Sequence, residues 1–396
     1  MITPEILEQL TRIKNGRRAY TVGIPAPRLP EERRMPLTPE GASILVSDGY
    51  HVKIERNAGL PIHYDDPRYA HSGAELVTRS ETLEADIVIY LGVLTTAEAL
   101  RLRPGTLLLT LHESAAQSTE TLAILLQRQI TVLALNLVAD HRGNRPIADI
   151  LGEIDGRAAI AISSSLLADA EHGKGILLGG VAGVNPAEVL ILGSGMAALA
   201  AARSAIGLGG IVRLFDSDPY SLRDAMGELG PAIIGSALHP RVLGRALSTA
   251  DIVVATSLSS PFSVADSVID EMKRGVVIFD LTARAGISAV FPTLRCIDLA
   301  TATAVQNKPM DSNSPRACYI NAAGAVPRTT AMALTNELIP LIGRLVGRGQ
   351  GLENALKIDS GLRPGIITYR GRVVNPRLAE RLGLKVIDIN LLLSFS

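Results

Sequence analysis

A short apolar run that leads directly into two glycines is the feature that most constrains this chain. Glu188–Leu192 has the sequence EVLIL, typical of a buried strand, and Gly193–Ala198 follows at once with the sequence GSGMAA. The first glycine permits a tight turn, Gly195 leaves room for a phosphate beside the backbone, and Ala198 is small enough for close helix–strand packing. The spacing predicts the strand–turn–helix unit of a parallel α/β domain that binds a dinucleotide.

An acidic residue follows at the distance that this motif requires. The next predicted strand ends in Leu214-Phe215-Asp216, and the acid lies roughly 20 residues after Gly193, as expected for a group that binds the ribose. The carboxylate of Asp216 accepts hydrogen bonds from a 2′-hydroxyl and repels a 2′-phosphate, which favours NAD over NADP. The alternative is a plain glycine turn in an α/β domain that binds no nucleotide.

Apolar runs alternate with helical stretches along the rest of the chain, the pattern of parallel sheets covered by helices. Helical spacing of apolar residues predicts long helices over Ile150–Ala170 and Thr329–Val346. A hairpin is predicted from Ile366–Tyr369 and Val373–Asn375. The fold class is therefore α/β.

Composition excludes several classes of protein. The 396 residues suit two domains, and 39 basic side chains balance 39 acidic ones, which argues against a nucleic-acid partner. The two cysteines exclude a disulfide scaffold, and the scattered His and Cys residues lack the spacing of metal ligands. The N-terminus lacks a signal peptide and no apolar run is long enough to span a membrane, so a cytoplasmic protein is expected.

Several ordered blocks of sequence resemble the alanine dehydrogenase and transhydrogenase α-subunit family. They include Glu31–Pro39 (EERRMPLTP), Leu111-His112, Gly179–Val184 (GGVAGV) and Gly324–Thr329 (GAVPRT). The resemblance extends from about Thr21 to Leu384.

The resemblance implies two Rossmann-like domains with parallel sheets, the nucleotide domain being inserted into a discontinuous substrate domain. We expect the substrate domain to comprise residues 1–160 and 326–396, and the NAD-binding domain residues 161–325. The active site of such proteins lies in the cleft between the domains. The resemblance also implies a homo-oligomer, either a dimer or a hexamer.

Two residues match family positions that contact the substrate. Arg34 occupies the place of an arginine that binds the substrate carboxylate, which suits the bidentate fork of a guanidinium. His112 occupies the place of the acid/base histidine, at the end of an apolar strand where α/β active sites lie. The alternatives are a surface arginine beside Glu31 and Glu32, and a buried structural histidine.

Two positions depart from the family pattern. Gly92 stands where alanine dehydrogenases have a substrate-binding lysine, and Arg284 stands where they have a catalytic aspartate. We expect Arg284 to act as a second carboxylate clamp, Gly92 to free volume for a larger substrate and Tyr90 to supply a hydroxyl to it. L-alanine and pyruvate are then poor substrates.

Together these residues predict an NAD-dependent oxidoreductase acting on an amino acid, its 2-oxo acid or an imine formed from one, with a substrate that has at least one carboxylate. Ser257 and Asn321 each follow a predicted strand of the nucleotide domain and are expected on the cofactor side. The competing prediction is an NAD(H)-binding module of the transhydrogenase type, which turns over no small molecule of its own.

Overall fold

The structure is a computed structural model that describes residues 20–28, 32–111, 117–283, 286–299, 316–347 and 351–394. The chain forms two compact units. The first contains the described residues up to Ala148 together with those from Ala331 onward, and the second contains Asp149–Thr330. Both units have α/β folds with parallel-rich, Rossmann-like sheets.

The strands follow one another in the order β1 Thr21–Ile24, β2 His51–Glu55, β3 Glu75–Val77, β4 Ile87–Ile89, β5 Leu107–Thr110, β6 Thr131–Ala134, β7 Glu188–Leu192, β8 Ile211–Asp216, β9 Ile233–Ala237, β10 Ile252–Ala255, β11 Val277–Asp280, β12 Arg295–Asp298, β13 Ala317–Ile320, β14 Ile366–Tyr369 and β15 Arg372–Val373.

The helices are α1 Pro39–Ser47, α2 Asp66–His71, α3 Arg79–Leu83, α4 Thr96–Ala99, α5 Thr119–Gln127, α6 Pro146–Ala168, α7 Met196–Gly207, α8 Pro219–Leu229, α9 Pro240–Thr249, α10 Asp266–Asp270, α11 Pro327–Val346, α12 Gly351–Ile358, α13 Pro376–Leu382 and α14 Ile389–Ser394.

The sheet of the first unit has the strand order β15-β14-β6-β5-β4-β1-β2-β3. The strands from β6 to β3 are parallel, whereas β14 runs antiparallel to β6 and pairs with β15 as a hairpin. Strand order reverses between β1 and β4, and in open α/β sheets ligands bind outside the carboxyl ends of the strands at such a switch point.

The sheet of the second unit has the order β12-β13-β11-β10-β7-β8-β9, and all its strands are parallel. Its switch point lies between β7 and β10. Side chains of β7 alternate between the two faces. Val189 and Ile191 pack in a cluster with the alanines of α7, whereas Leu190 and Leu192 pack with Leu243 of α9 on the opposite face.

Local sequence explains several element ends. The Thr38 hydroxyl accepts a hydrogen bond from the backbone N–H of Gly41 at 3.3 Å, and Pro39 occupies the first turn of α1, where its missing N–H costs nothing. Glycine at residue 371 has φ +75° in the turn between β14 and β15. In the described part of the chain, no helix has the length and apolar character needed to cross a bilayer.

Candidate functional site

The switch point of the second unit is formed by backbone and small side chains. Gly193 directly follows β7 with φ +105°, a conformation that favours glycine. A Cβ atom at this residue would lie 2.2 Å from the Thr256 hydroxyl and 2.7 Å from the Ser257 carbonyl oxygen. The turn therefore requires glycine for two independent reasons, and it lies directly against the chain that leaves β10.

Gly195 differs from Gly193 because it meets no other atom. It precedes α7 with φ −76°, which any residue adopts, and a Cβ atom there would have nothing within 4 Å. Its missing side chain therefore opens space toward the first-turn amides of α7. A helix N-terminus with accessible amides favours an anionic group such as a pyrophosphate.

Ala198 is fully buried in the apolar cluster between α7 and the sheet. On the other side of α7 the long helix α6 approaches closely, because a Cβ atom at Gly156 would lie 2.2 Å from the carbonyl oxygen of Ala197. Small residues thus fix the position of α7, whose N-terminus lies at the candidate site.

Asp216 ends β8 and has only 2% of its surface exposed. The Ser194 hydroxyl donates to its Oδ2 atom at 2.6 Å, and the Asp218 backbone N–H donates to Oδ1 at 3.1 Å. Burial raises the pKa of this carboxyl, but hydrogen bonds from Ser194, from the Asp218 backbone and from Ser259 outweigh it and lower the pKa below its ordinary value. The group is therefore a carboxylate near neutral pH.

Ser257 is exposed where the chain leaves β10. It lines an open pocket of about 300 Å³ together with Thr256, Phe262, Thr282 and Val290. The structure thus places the glycine turn, Asp216 and Ser257 at the carboxyl ends of neighbouring strands of one sheet.

Asn321 follows β13 and has a left-handed backbone conformation, with φ 60° and ψ 50°. Its side-chain oxygen accepts from the Gly324 backbone N–H at 3.2 Å, and its amide nitrogen donates to Asp298 at 3.1 Å. In this structure the side chain is engaged in capping its own turn. Its role toward a cofactor stays a prediction.

Paired charges surround the switch point of the first unit. Arg34 forms a two-pronged ion pair with Glu32, through Nε to Oε1 at 2.8 Å and Nη2 to Oε2 at 2.6 Å. The side chain of Arg34 is only 14% exposed. The pairing fixes the guanidinium plane and engages its Nε and Nη2 donors with Glu32, so contact with a substrate carboxylate stays a prediction.

Tyr90 and Gly92 are packed together. A Cβ atom at residue 92 would lie 2.8 Å from the Tyr90 hydroxyl oxygen, so the tyrosine ring fills the space beside the glycine. Tyr90 therefore lies in the space that a side chain at residue 92 would enter, and the expectation that Gly92 frees volume for a larger substrate stays a prediction. Tyr90 is 2% exposed, and its hydroxyl lies near the Arg79 guanidinium without meeting full hydrogen-bond geometry with any described atom.

Arg79 is a residue that the sequence did not single out. Its guanidinium carbon lies 5.1 Å from the centroid of the Tyr90 ring, within the range of a cation–π contact. Its Nε donates to Glu98 at 2.5 Å, and its Nη1 donates to Glu55 and to the Ala26 carbonyl at 3.0 Å each. These partners are distant from Arg79 in sequence, so no local motif predicts this cluster of Arg79 with Glu55 and Glu98.

Glu98 is the acidic centre of this cluster. It also accepts from Arg28 at 2.8 Å and from the Thr95 backbone and hydroxyl. Burial raises its pKa, but the hydrogen bonds from Thr95 and Arg79 prevail and lower the pKa below its ordinary value. The charges of Arg28, Arg79, Glu55 and Glu98 balance one another, so the cluster has no surplus cation to replace a lysine at residue 92.

His112 and Arg284 lie outside the described residues. Leu111, which directly precedes His112, lines a mostly apolar pocket of about 40 Å³ with Gly92, Val93 and Thr110. The carboxyl ends of β4 and β5 therefore meet at this pocket. Within the described ranges, no group of three or more His, Cys, Asp or Glu side chains is placed to hold a metal ion.

Comparison with known families identifies both halves of the chain. The model for the N-terminal domain of the alanine dehydrogenase/PNT family matches residues 23–153, and the model for its C-terminal domain matches residues 159–376.

Individual proteins match over nearly the whole length. The alanine dehydrogenase of Mycolicibacterium smegmatis is 31% identical over 381 residues, covering 93% of this chain and 98% of that protein. A solved structure of L-alanine dehydrogenase has a TM-score of 0.78 at 27% identity, covering 91% of this chain and 98% of the other. The transhydrogenase of Sinorhizobium meliloti has a TM-score of 0.69 at 20% identity, covering 90% and 99%, which shows a shared fold.

Proposed function

Because this chain belongs to the alanine dehydrogenase/PNT family, we propose that it is an NAD-dependent oxidoreductase acting on an amino acid, its 2-oxo acid or an imine formed from one. The observation that supports this most is the open approach at Gly195, at the head of α7 and beside a buried carboxylate. The curated relatives cited above are alanine dehydrogenases, and that name suggests a carboxylate-bearing substrate.

The second unit is the proposed NAD-binding domain. The backbone around Gly193 and Gly195 would hold the pyrophosphate against the α7 amides, and Ser257 would line the cofactor side. Asp216 would accept hydrogen bonds from the ribose and repel a 2′-phosphate, so NAD is the proposed cofactor rather than NADP. A bound nicotinamide supplies a carbon that accepts or donates a hydride.

The first unit is the proposed substrate domain. Arg34, oriented by Glu32, would bind the substrate carboxylate. His112 would take the proton that leaves the nitrogen or oxygen as the hydride leaves its carbon, a task suited to an imidazole near neutral pH. Tyr90 would shape the pocket beside Gly92. Arg284, which belongs to the second unit by its place in the chain, is proposed as a second cation for the substrate.

The Gly92–Tyr90 contact supports a substrate other than alanine. A lysine at residue 92 cannot be accommodated while the Tyr90 hydroxyl lies 2.8 Å from the Cβ position, so the substrate loses a charge-assisted contact worth about 1.5–3 kcal/mol. We propose that the missing contact is made by Arg284 to a second polar or anionic group. Homo-oligomer formation and a cytoplasmic location stay predictions.

Gly195→Ala tests the nucleotide half of the proposal. The variant is expected to keep the unfolding midpoint of the wild type, because the added Cβ meets no protein atom and φ is ordinary. Its affinity for NADH, measured by calorimetry, is expected to fall at least about tenfold, since the methyl group occupies the path of the pyrophosphate. The matched control is Gly207→Ala at the other end of α7, where a Cβ also meets nothing within 4 Å. Equal NADH affinity in both variants contradicts the proposed site.

His112→Asn tests the substrate half. Wild-type protein is incubated with NAD and a panel of amino acids, and with NADH, amines and 2-oxo acids, while absorbance of the reduced cofactor is followed. The variant is expected to lose about 10²–10⁴-fold in turnover with NADH affinity unchanged. If the wild type binds NADH but turns over no substrate, the binding module of the transhydrogenase type is the correct description.

A further inference from the structure

The two cysteines of the sequence are direct neighbours in the second unit. Cys296 in β12 and Cys318 in β13 are paired residues in the register of adjacent parallel strands. Neighbouring strands lie roughly 4.8 Å apart, within the range of about 4.4–6.8 Å between Cα atoms that a disulfide spans. Because side chains alternate strictly between faces, both sulfurs lie on the same face of the sheet.

The surroundings of the two thiols differ. Cys318 is fully buried in the apolar cluster that contains Ile278 and Phe291, whereas Cys296 is half-buried against the same cluster. In the described sheet, β12 is the end strand and pairs only with β13. Small reagents therefore have access to Cys296 but not to Cys318, and the end strand can adjust its distance to its neighbour.

The pKa values of the two thiols also differ, and the more accessible thiol is the more acidic one. The adjacent Cys318 thiol lowers the pKa of Cys296 to about 7, burial opposes this, and the Ser288 backbone N–H adds to the lowering. Contact with Cys296, together with burial, raises the pKa of Cys318. Cys296 is the thiolate of the pair near neutral pH, and thiolates are the reactive form.

We propose that Cys296 and Cys318 form a reversible redox-modification site, in which a peroxide oxidises the pair to an intramolecular disulfide. The Cys296 thiolate attacks one peroxide oxygen, the O–O bond breaks, and a sulfenic acid and hydroxide form; the hydroxide takes up the proton that the Cys296 thiol had released to solvent and becomes water. The Cys318 sulfur then attacks the sulfenic sulfur, the S–S bond forms, and the oxygen leaves as a second water with the proton of Cys318. Two thiols lose two electrons and the peroxide gains them.

The cysteine pair lies next to the segment Ser288–Val290, which forms part of the wall of the pocket that contains Ser257. Ser288 lies beside Cys296, and the Ser288 hydroxyl donates to the buried Asp280 carboxylate at 2.5 Å. Ala289 and Val290, which follow at once, line the pocket that contains Ser257. A disulfide draws the Cys296 side chain toward Cys318 and removes its charge, so we expect oxidation to loosen the neighbouring Ser288 segment. The site does not depend on the proposed reaction.

The experiment is oxidation of the full-length protein with hydrogen peroxide at pH 7, followed by alkylation of the remaining thiols and mass measurement. The chain has two cysteines but also seven methionines, which peroxide oxidises as well, so masses are read on the cysteine-containing peptides after digestion. A peptide pair joined with a loss of about 2 Da and separated by dithiothreitol identifies this bond. A gain of about 32 Da on the Cys296 peptide without disulfide, or a disulfide-linked dimer, overturns the proposal. No oxidation of either cysteine overturns it as well.

Two variants separate the roles of the thiols. Cys318→Ala is expected to slow iodoacetamide alkylation of Cys296 at pH 7 at least about fivefold, because the group that lowers its pKa is gone. Cys296→Ala, at the half-buried position, is expected to leave Cys318 unreactive in the folded protein, so the peptide that contains Cys318 gains no oxygen on peroxide treatment. An unchanged alkylation rate in the first variant, or rapid oxidation of Cys318 in the second, overturns the assigned roles.

Hydrogen exchange tests the connection to the pocket wall. Amide exchange of the peptide that contains Ser288–Val290 is expected to accelerate at least about threefold in the oxidised protein and to return after reduction. Peroxide treatment of Cys296→Ala provides the control and is expected to change nothing. If exchange in wild type is the same before and after disulfide formation, the connection is wrong.

Discussion

The two units use the same strand order around their switch points but place different chemistry there. Around β7 and β10 the groups are glycine backbone, serine and threonine hydroxyls and buried carboxylates that accept from those hydroxyls, Asp216 and, on the neighbouring β11, Asp280. Around β1 and β4 they are paired ions, with Arg34 on Glu32 and Arg79 on Glu55 and Glu98. The first arrangement suits a long ligand that lies along the backbone, and the second suits a small ligand that must be oriented by charge.

The difference also predicts how each unit responds to substitution. Where the edge of the sheet is formed by closely packed backbone, as at Gly193, an added atom is expected to destabilise the fold, because the main chain cannot move aside at small cost. A charge-built edge tolerates small changes of shape but not the removal of one partner, because the other charge stays buried and unpaired. The four substitutions below test this contrast, from the largest expected effect to the smallest.

Gly193→Ala is expected to have the largest effect. The methyl group meets Thr256 and Ser257 below 3 Å, and alanine is strained at φ +105°. The free energy of unfolding, measured by urea denaturation, should fall by about 3 kcal/mol or more. Gly207→Ala is the control and should change it by less than about 1 kcal/mol. A Gly193→Ala protein as stable as wild type would contradict the close contact with the β10 exit.

Glu98→Gln tests the charge-built edge and should lower the free energy of unfolding by about 2–3 kcal/mol at pH 7. The pKa of Glu98 is lower in the folded protein than its ordinary value of 4.5, so its ionic contribution is present above that pH and is lost as the pH falls through the folded pKa. The difference in the free energy of unfolding between wild type and Glu98→Gln should therefore shrink below about pH 4.5.

Glu84→Gln is the matched control for this pH series. Glu84 forms a long, exposed ion pair with Arg103 at 3.9 Å, and such pairs contribute less than about 1 kcal/mol. If Glu84→Gln and Glu98→Gln lower the free energy of unfolding equally, the buried cluster stabilises the protein no more than a surface ion pair does.

Asp216→Asn should change cofactor choice more than stability. Removing the charge weakens ribose binding and ends the repulsion of a 2′-phosphate, so the preference for NADH over NADPH should shrink by about tenfold. The two dissociation constants, measured by calorimetry, give the ratio. A ratio equal to that of wild type would mean that Asp216 only fixes the turn through Ser194 and Asp218.

Tyr90→Phe should have the smallest effect. The Tyr90 hydroxyl meets full hydrogen-bond geometry with no described atom, so removing it should change the free energy of unfolding by less than about 0.5 kcal/mol. If the hydroxyl contacts substrate, KM rises in the same variant while stability stays constant. A loss above about 2 kcal/mol would reveal a hydrogen bond that stabilises the first unit.

The central elements of both sheets were predictable from local sequence. The prediction of a strand at Glu188–Leu192 is confirmed, and the hairpin strand Ile366–Tyr369 is confirmed as well. These segments are continuous apolar runs next to strong turn residues, so their state is determined locally. The long helix predicted over Ile150–Ala170 is found at Pro146–Ala168.

Strands at the sides of the sheets escaped prediction. β3, β9 and β12 were not expected, and each mixes polar or small residues with apolar ones. Such strands pair on one side only, so their sequences lack a fully buried pattern. Recognition of β12 matters most, since its pairing with β13 brings Cys296 to Cys318.

The sequence by itself determined the fold class, the glycine turn and the acid that follows it, because each depends on residues that are close along the chain. Only the tertiary structure decided that Tyr90 fills the space beside Gly92, that Arg79 joins Glu55 to Glu98, and that the two cysteines face each other. The last two contacts join residues that are distant along the chain and meet through strand pairing and helix packing, whereas the first depends on the direction in which the packed core turns the Tyr90 ring.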